Sequence, residues 1–215
     1  MAKLFCSIGT GPGIGLQTAL RFAREGFQPL LAARNAKRLD SMAREIRECT
    51  GMDAVIAVLD AADNGQIAAL MERWGTEIEV LHYNAAVLRP QCLEDATADS
   101  LAEDMQVDII GALVAVKAVM PHMRQRRSGT ILLTGGGFAL FPSREFLVLS
   151  MAKAGIRCLC QALFPDLAQD NVHIASVLVK KAVEASQGDP ERIADVFWNL
   201  YQQPRQAWTW EESFG

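Results

Sequence analysis

Short apolar runs alternate with amphipathic stretches along this chain. The runs Leu4–Ile8, Pro29–Ala33, Ala54–Leu59, Val80–Tyr83, Thr130–Thr134 and Val172–Val179 are apolar without a polar alternation. Continuous runs of this length predict strands buried on both faces. The stretches between them carry apolar residues at helical spacing. Leu16, Ala19, Leu20 and Ala23 mark a helix over Gly15–Glu25, and Leu39, Met42, Ala43 and Ile46 mark one over Ala36–Cys49. Further helices are expected over Gly65–Trp74, Asp99–Arg126 and Leu149–Ala168, the last kinked near its end by Pro165. Asp189 as N-cap, with Pro190 at the first helical position, opens a helix to Tyr201. Ala207–Trp210 reads as a last strand. Strand–helix alternation with continuous apolar strands predicts one α/β domain over residues 1–215, a doubly wound parallel sheet with helices on both faces.

Composition agrees with one globular domain: 215 residues, half of them hydrophobic and 21% charged. The net charge of −4 leaves no basic face for a duplex, so no nucleic-acid partner is expected. The run Arg124, Arg126, Arg127 is placed at a helix end, where cations complement the dipole. Five cysteines, with no C-x-x-C spacing, suit neither a disulfide framework nor a zinc site. They are expected to be reduced and buried, in the cytoplasm. His82, His122 and His173 have no spacing that suggests a metal, and none is expected. Leu4–Ile8 is too short for a signal peptide, and Ile109–Met120, broken by Lys117, is too short to span a bilayer, so no membrane association is expected.

The chemistry concentrates after the first strand. Gly9-Thr10-Gly11-Pro12-Gly13-Ile14-Gly15 lies between a strand and a helix. Glycine there allows a tight turn and a close backbone approach to pyrophosphate, and the helix N-terminus offers free N–H groups to the phosphates. This strand–loop–helix context makes a dinucleotide the expected ligand.

The spacing Gly9-x-x-x-Gly13-Ile14-Gly15 resembles the short-chain dehydrogenase/reductase family, whose loop reads Thr-Gly-x-x-x-Gly-Ile-Gly; Ile8 stands at the threonine position. Other landmarks follow in order. Asp60 resembles the family aspartate near the adenine. Asn84-Ala85-Ala86 resembles the Asn-Ala-Gly segment after the fourth strand. Ser150-Met151-Ala152-Lys153 resembles the tail of Tyr-x-x-x-Lys. The resemblance covers residues 1 to about 180 and implies a Rossmann-type fold, a nicotinamide cofactor and a small-molecule substrate. Gly9, Gly11, Gly13, Ile14, Gly15, Asp60, Asn84, Ala85 and Lys153 are then the expected cofactor residues. At the end of the second strand Ala33 offers no carboxylate to a ribose 2′-OH, and Arg34 follows it. A guanidinium forks onto a 2′-phosphate, so NADP(H) is expected ahead of NAD(H).

The family's Asn, Ser, Tyr and Lys align with Asp108, Gly136, Leu149 and Lys153. The Gly136-to-Leu149 separation of 13 residues matches the family's serine-to-tyrosine spacing. Gly135–Gly137 and the segment from Gln203-Pro204 to Trp208 resemble an atypical bacterial branch that lacks the standard serine and tyrosine. Lys153 and Asp108 remain as candidate catalytic groups. Tyr83 and Ser150 are weaker alternatives, read as a core aromatic and a helix-face hydroxyl. Phe146 is expected as a pocket wall. The segment after Val179, where the family has a long substrate cover, reaches Asp189-Pro190 within ten residues. Trp198, Trp208 and Trp210 are expected in core or dimer contacts. Two functions fit these residues: an NADP(H)-dependent oxidoreductase with a rearranged centre, or a cofactor-binding pseudoenzyme that senses or partners. The helices flanking the fifth strand are apolar on more than one face, which predicts a homodimer or homotetramer.

Overall fold

In the computed structural model, which describes residues 3–215, seven strands form one parallel sheet. They are β1 (Leu4–Ile8), β2 (Gln28–Ala33), β3 (Val55–Val58), β4 (Ile78–Tyr83), β5 (Thr130–Thr134), β6 (His173–Val179) and β7 (Glu211–Phe214), in the order β3-β2-β1-β4-β5-β6-β7. Seven α-helices connect and cover them: α1 (Ile14–Arg24), α2 (Ala36–Thr50), α3 (Asn64–Trp74), α4 (Ala98–Met105), α5 (Gly111–Arg126), α6 (Leu147–Gln169) and α7 (Asp189–Gln202). The expected doubly wound α/β architecture is present.

The apolar residues divide by sheet face. On one side Leu16, Ala19, Phe22, Leu39, Ile46 and Phe197 bring α1, α2 and α7 onto the sheet. On the other, Ile67, Met71, Ala112, Val116, Ile156 and Cys160 bring α3, α5 and α6. The helical stretch 98–126 and α6 are long and apolar enough to cross a membrane by length and composition alone. Both supply core side chains instead, among them Ala112, Val116, Val119, Ala152 and Ile156. Ile110, Leu113 and Met151 remain exposed on their outer faces.

Four expectations are corrected. The last strand is Glu211–Phe214, because Arg205–Ala207 form a 3₁₀ turn before it. The expected helix Asp99–Arg126 is interrupted by a π-helical turn, Gln106–Ile110. Gly188, at φ +68°, is the N-cap of α7, whereas the buried Asp189 carboxylate accepts the Glu184 N–H at 3.0 Å and pairs with Lys181 at 2.8 Å. That pairing ties the short 180–188 connection down. Cys6 and Cys160 are buried as expected, but Cys49 and Cys158 are exposed. Helix α6 runs through Pro165 to Gln169.

Under α1 and α7, the fully buried Phe22 ring stacks on Phe5 at 4.4 Å and meets Phe27, Trp198 and Tyr201 edge-on at 5.1–5.5 Å. Truncating an aromatic held on this many sides leaves a cavity that its neighbours cannot fill. Phe22→Ala is expected to cost about 3–5 kcal/mol. Urea unfolding checks this: the midpoint falls while the slope is unchanged.

Candidate functional site

The sheet splits between β1 and β4, whose helices leave on opposite faces, and a crevice opens at the C-terminal ends of these strands. Gly9 ends β1 with φ +80°. A Cβ there would lie 2.3 Å from the Ala85 nitrogen, so no side chain fits. The Gly9 and Thr10 N–H groups both donate to the Ala32 carbonyl, at 2.8 and 3.1 Å, which turns the chain sharply towards α1. Gly15 packs closely too: its Cβ would stand 3.0 Å from Thr10 Cα. Gly11 and Gly13 differ, since a Cβ on either would meet nothing within 4 Å. They face open space in front of α1, which starts at Ile14 with no side chain capping it. First-turn N–H groups are thereby left for an external acceptor. The loop fits the pyrophosphate of a dinucleotide.

A chain of hydrogen bonds braces this loop from behind. Asn84 Nδ2 donates to the Gly9 carbonyl at 3.0 Å, and Thr134 Oγ1 donates to Asn84 Oδ1 at 2.9 Å. His82 Nε2 lies 3.1 Å from Thr134 Oγ1, and Ser7 Oγ lies 3.2 Å from His82 Nδ1. Because the threonine hydroxyl is donating to Asn84, His82 Nε2 donates to it, and Ser7 donates to Nδ1. Burial pushes the His82 pKa down to about 3, in keeping with a ring that carries one proton. The sequence reading missed this chain. Its only signal is polar residues, Ser7, His82 and Thr134, inside otherwise apolar strands.

The other expected cofactor residues are scattered around the same edge. Arg34 follows β2 and is exposed, as are Lys37 and Arg38 on the first turn of α2. Among the described residues none of the three pairs with a carboxylate, so this cationic cluster is free to meet an anion. Asp60 lies two residues beyond β3; its Oδ1 accepts the Ala62 N–H at 3.0 Å, which shapes the turn towards α3.

Lys153 and Asp108 both lie buried at the crevice floor, close enough for their charges to interact but without a direct ion pair. Lys153, on α6, is 7% exposed and donates from Nζ to the Thr134 carbonyl at 2.7 Å. Asp108, in the π-helical turn, is 1% exposed. Its Oδ1 accepts the Val87 N–H at 2.6 Å, while Oδ2 has no partner. Burial raises Asp108 to about 6, against the Val87 hydrogen bond and the Lys153 charge. Burial lowers Lys153 to about 8, against the Asp108 charge. Leu149 lies buried one helical turn before Lys153. Gly136 follows β5, and a Cβ on it would lie 3.3 Å from Lys153 Cγ.

The alternative proton carriers are committed elsewhere. Tyr83 is buried and donates to the Val107 carbonyl at 2.5 Å, and burial raises its pKa further. Ser150 Oγ donates to the Phe146 carbonyl at 2.8 Å and accepts the Ser143 N–H at 3.1 Å. Phe146 stacks on Phe138 at the mouth of α6. Trp198 belongs to the aromatic core under α7, and Trp208 stacks on His173 at 4.7 Å, so neither rebuilds a wall of the crevice.

The family profile described as short chain dehydrogenase matches residues 3–182. The chain belongs to the short-chain dehydrogenase family. An uncharacterized oxidoreductase of Listeria monocytogenes is 28% identical over 186 residues, covering 84% of this chain and 73% of that protein. The crystal structure of a short-chain dehydrogenase from Rhodopseudomonas palustris is 26% identical, with a TM-score of 0.89 over 99% of this chain and 97% of that one. A metagenomic short-chain oxidoreductase in complex with NADP shares the fold at 23% identity, with a TM-score of 0.88 over 98% and 95%.

For this short-chain dehydrogenase the two perturbed groups set a pH signature of stability. Asp108 titrates higher in the folded chain than its ordinary 3.8, so the folded state holds the extra proton. Stability is therefore lost as pH rises from about 3.8 to about 6. Lys153 titrates below its ordinary 10.5, so the unfolded state holds the extra proton and stability is regained from about pH 8 to 10.5. Urea midpoints measured across pH check both limbs: Asp108→Asn flattens the first, and Lys153→Met flattens the second.

Proposed function

We propose that this short-chain dehydrogenase is an NADP(H)-dependent oxidoreductase of a small-molecule substrate. The observation that carries the reading is the glycine cradle: Gly11 and Gly13 face open space at an uncapped helix N-terminus, while Gly9 and Gly15 are packed too tightly for side chains. Bound there, a nicotinamide dinucleotide supplies or accepts a hydride. Ile14 and Gly15 begin the helix whose N–H groups meet the pyrophosphate. Asn84 and Ala85 hold Gly9 in place, and Asp60 shapes the turn beside the adenine end. Arg34, with Lys37 and Arg38 around it, meets a 2′-phosphate and favours NADP(H) over NAD(H). The structural neighbour crystallised with NADP supports the same choice. Lys153 spends one N–H on Thr134 and keeps two, enough to reach the nicotinamide ribose.

A second reading has its own observation. Leu149 and Gly136, at the positions that resemble the family's tyrosine and serine, carry no proton to give, which favours a cofactor-binding sensor or partner subunit. Incubating the protein and NADPH with a panel of carbonyls, imines and enones separates the two: oxidation of NADPH with any of them supports the enzyme. The assembly we propose is a cytoplasmic homodimer or homotetramer built on the exposed Ile110, Leu113 and Met151 of the stretch 98–126 and α6. Light scattering at micromolar concentration is expected to show at least a dimer, and Leu113→Glu to shift it towards monomer.

The cofactor choice has a direct test. A charge-assisted contact to the 2′-phosphate contributes about 1.5–3 kcal/mol, or roughly tenfold or more in affinity. Titration is expected to show NADPH binding at least about tenfold tighter than NADH. Arg34→Ala removes most of that preference and leaves NADH unchanged; equal affinities in the wild type would refute the assignment.

A further inference from the structure

We infer that Lys153 itself is the proton donor to the substrate oxygen, with Asp108 as the positioning residue that keeps its ammonium charged. The inference rests on the NADP(H)-dependent reading above and names the group that replaces a tyrosine.

Elimination and geometry lead to it together. Around the crevice floor the hydroxyl and ring protons considered above are already donated: Tyr83 to Val107, Ser150 to Phe146, Thr134 to Asn84 and His82 to Thr134. Lys153 keeps two spare donors on an acidic nitrogen, since only one of its three N–H bonds is taken, by the Thr134 carbonyl. That bond fixes Nζ at the C-terminal end of β5, on the crevice side of the sheet. Gly136 leaves room for this: its missing Cβ would press on the lysine stem at 3.3 Å. Leu149 adds an apolar neighbour on the preceding turn, so the ammonium is poorly solvated and readily gives up a proton. Asp108 supplies an opposing charge from the π-helical turn without pairing directly with the ammonium, and its Oδ2 has no other partner. The other charged or titratable groups near the pair are accounted for. Asp104, from the preceding turn, is paired with Arg89 at 2.7 Å; Tyr83, from β4, stays a neutral phenol. A lysine poised near neutral pH meets the requirement for a general acid.

The step balances. The carbonyl carbon of the substrate takes a hydride from the bound nicotinamide, and the π pair of the C=O bond moves onto oxygen. That oxygen takes a proton from Lys153 Nζ, and the broken N–H bond leaves its electron pair on nitrogen. A solvent proton then restores the ammonium. The net change is carbonyl, NADPH and one proton to alcohol and NADP⁺.

The first test needs no cofactor. In the apo protein labelled with [¹³C]lysine, the Cε signal of Lys153 is identified by its loss in Lys153→Arg. It is expected to titrate near pH 8, apart from the ordinary lysines near 10.5, and lower still in Asp108→Asn. A Lys153 that titrates with the other lysines, or ignores Asp108→Asn, overturns the inference. The second test uses 9,10-phenanthrenequinone, an apolar dicarbonyl suited to a mouth whose flanking loops expose Leu88, Leu140 and Phe141. Lys153→Arg keeps the charge and the stem but holds its proton at any working pH. At saturating NADPH its reduction rate is expected to fall by about 10²-fold or more, while it still binds NADPH. An undiminished rate, or a wild type that binds NADPH but reduces neither this quinone nor the carbonyl panel, overturns the inference. A wild type that fails to bind NADPH overturns the cofactor reading instead, and the apo titration still reports on Lys153.

Discussion

The close approach of Gly9 to Ala85 is the constraint on which the site depends. Two backbones meet where β1 and β4 part, at a distance no side chain permits. The left-handed turn at Gly9 sends the chain towards α1 and leaves Gly11 and Gly13 facing open space. Everything behind that contact is polar and satisfied. Asn84 clamps the Gly9 carbonyl, Thr134 clamps Asn84, and His82 and Ser7 close the chain inside the sheet. A buried network of this kind is favourable only when each member is paired, and here the one-proton state of His82 makes the pairing complete.

Thr134 joins this network to the ionisable pair. Its hydroxyl braces the glycine loop, and its carbonyl receives Lys153. One residue at the end of β5 therefore couples the glycine cradle to the buried lysine of α6. Displacement of either side chain is felt by the other through a single strand end. The pair itself is held against its own electrostatics: burial disfavours both charges, and each charge partly restores the other.

Much of the fold was legible because continuous apolar runs and helical spacing leave little choice of element, and because the glycine loop sits where its geometry demands. The last strand was misplaced by a few residues. Ala207–Trp210 is aromatic enough to read as a strand, yet Pro204 starts a 3₁₀ turn there and the pairing with β6 begins at Glu211. The π-helical turn left no trace in periodicity, since one extra residue within a long apolar helix barely alters the pattern. Lys153 and Asp108 could be named from the resemblance to the family, but not their burial or the partnerless Oδ2. Those depend on Val87, Thr134 and Gly136, which come from three separate loops and strand ends. The tie between Asp189 and Lys181 was hidden too, because a carboxylate just ahead of a proline reads as a helix cap.

The π-helical turn at Gln106–Ile110 takes up one residue more than an α-helical turn would. Tyr83 spends its hydroxyl on the Val107 carbonyl within this turn, and Gly111, whose Cβ would collide with that hydroxyl, makes room for it. Seen as a reading frame, the extra residue sets the angular phase of the helix before it against the helix after it. Removing one residue from the turn would let the backbone close into regular helix while rotating Asp108 by about 100° relative to α5. A lineage could therefore add or withdraw a carboxylate at the crevice floor by a single-codon insertion or deletion, without exchanging any residue that touches the ligand.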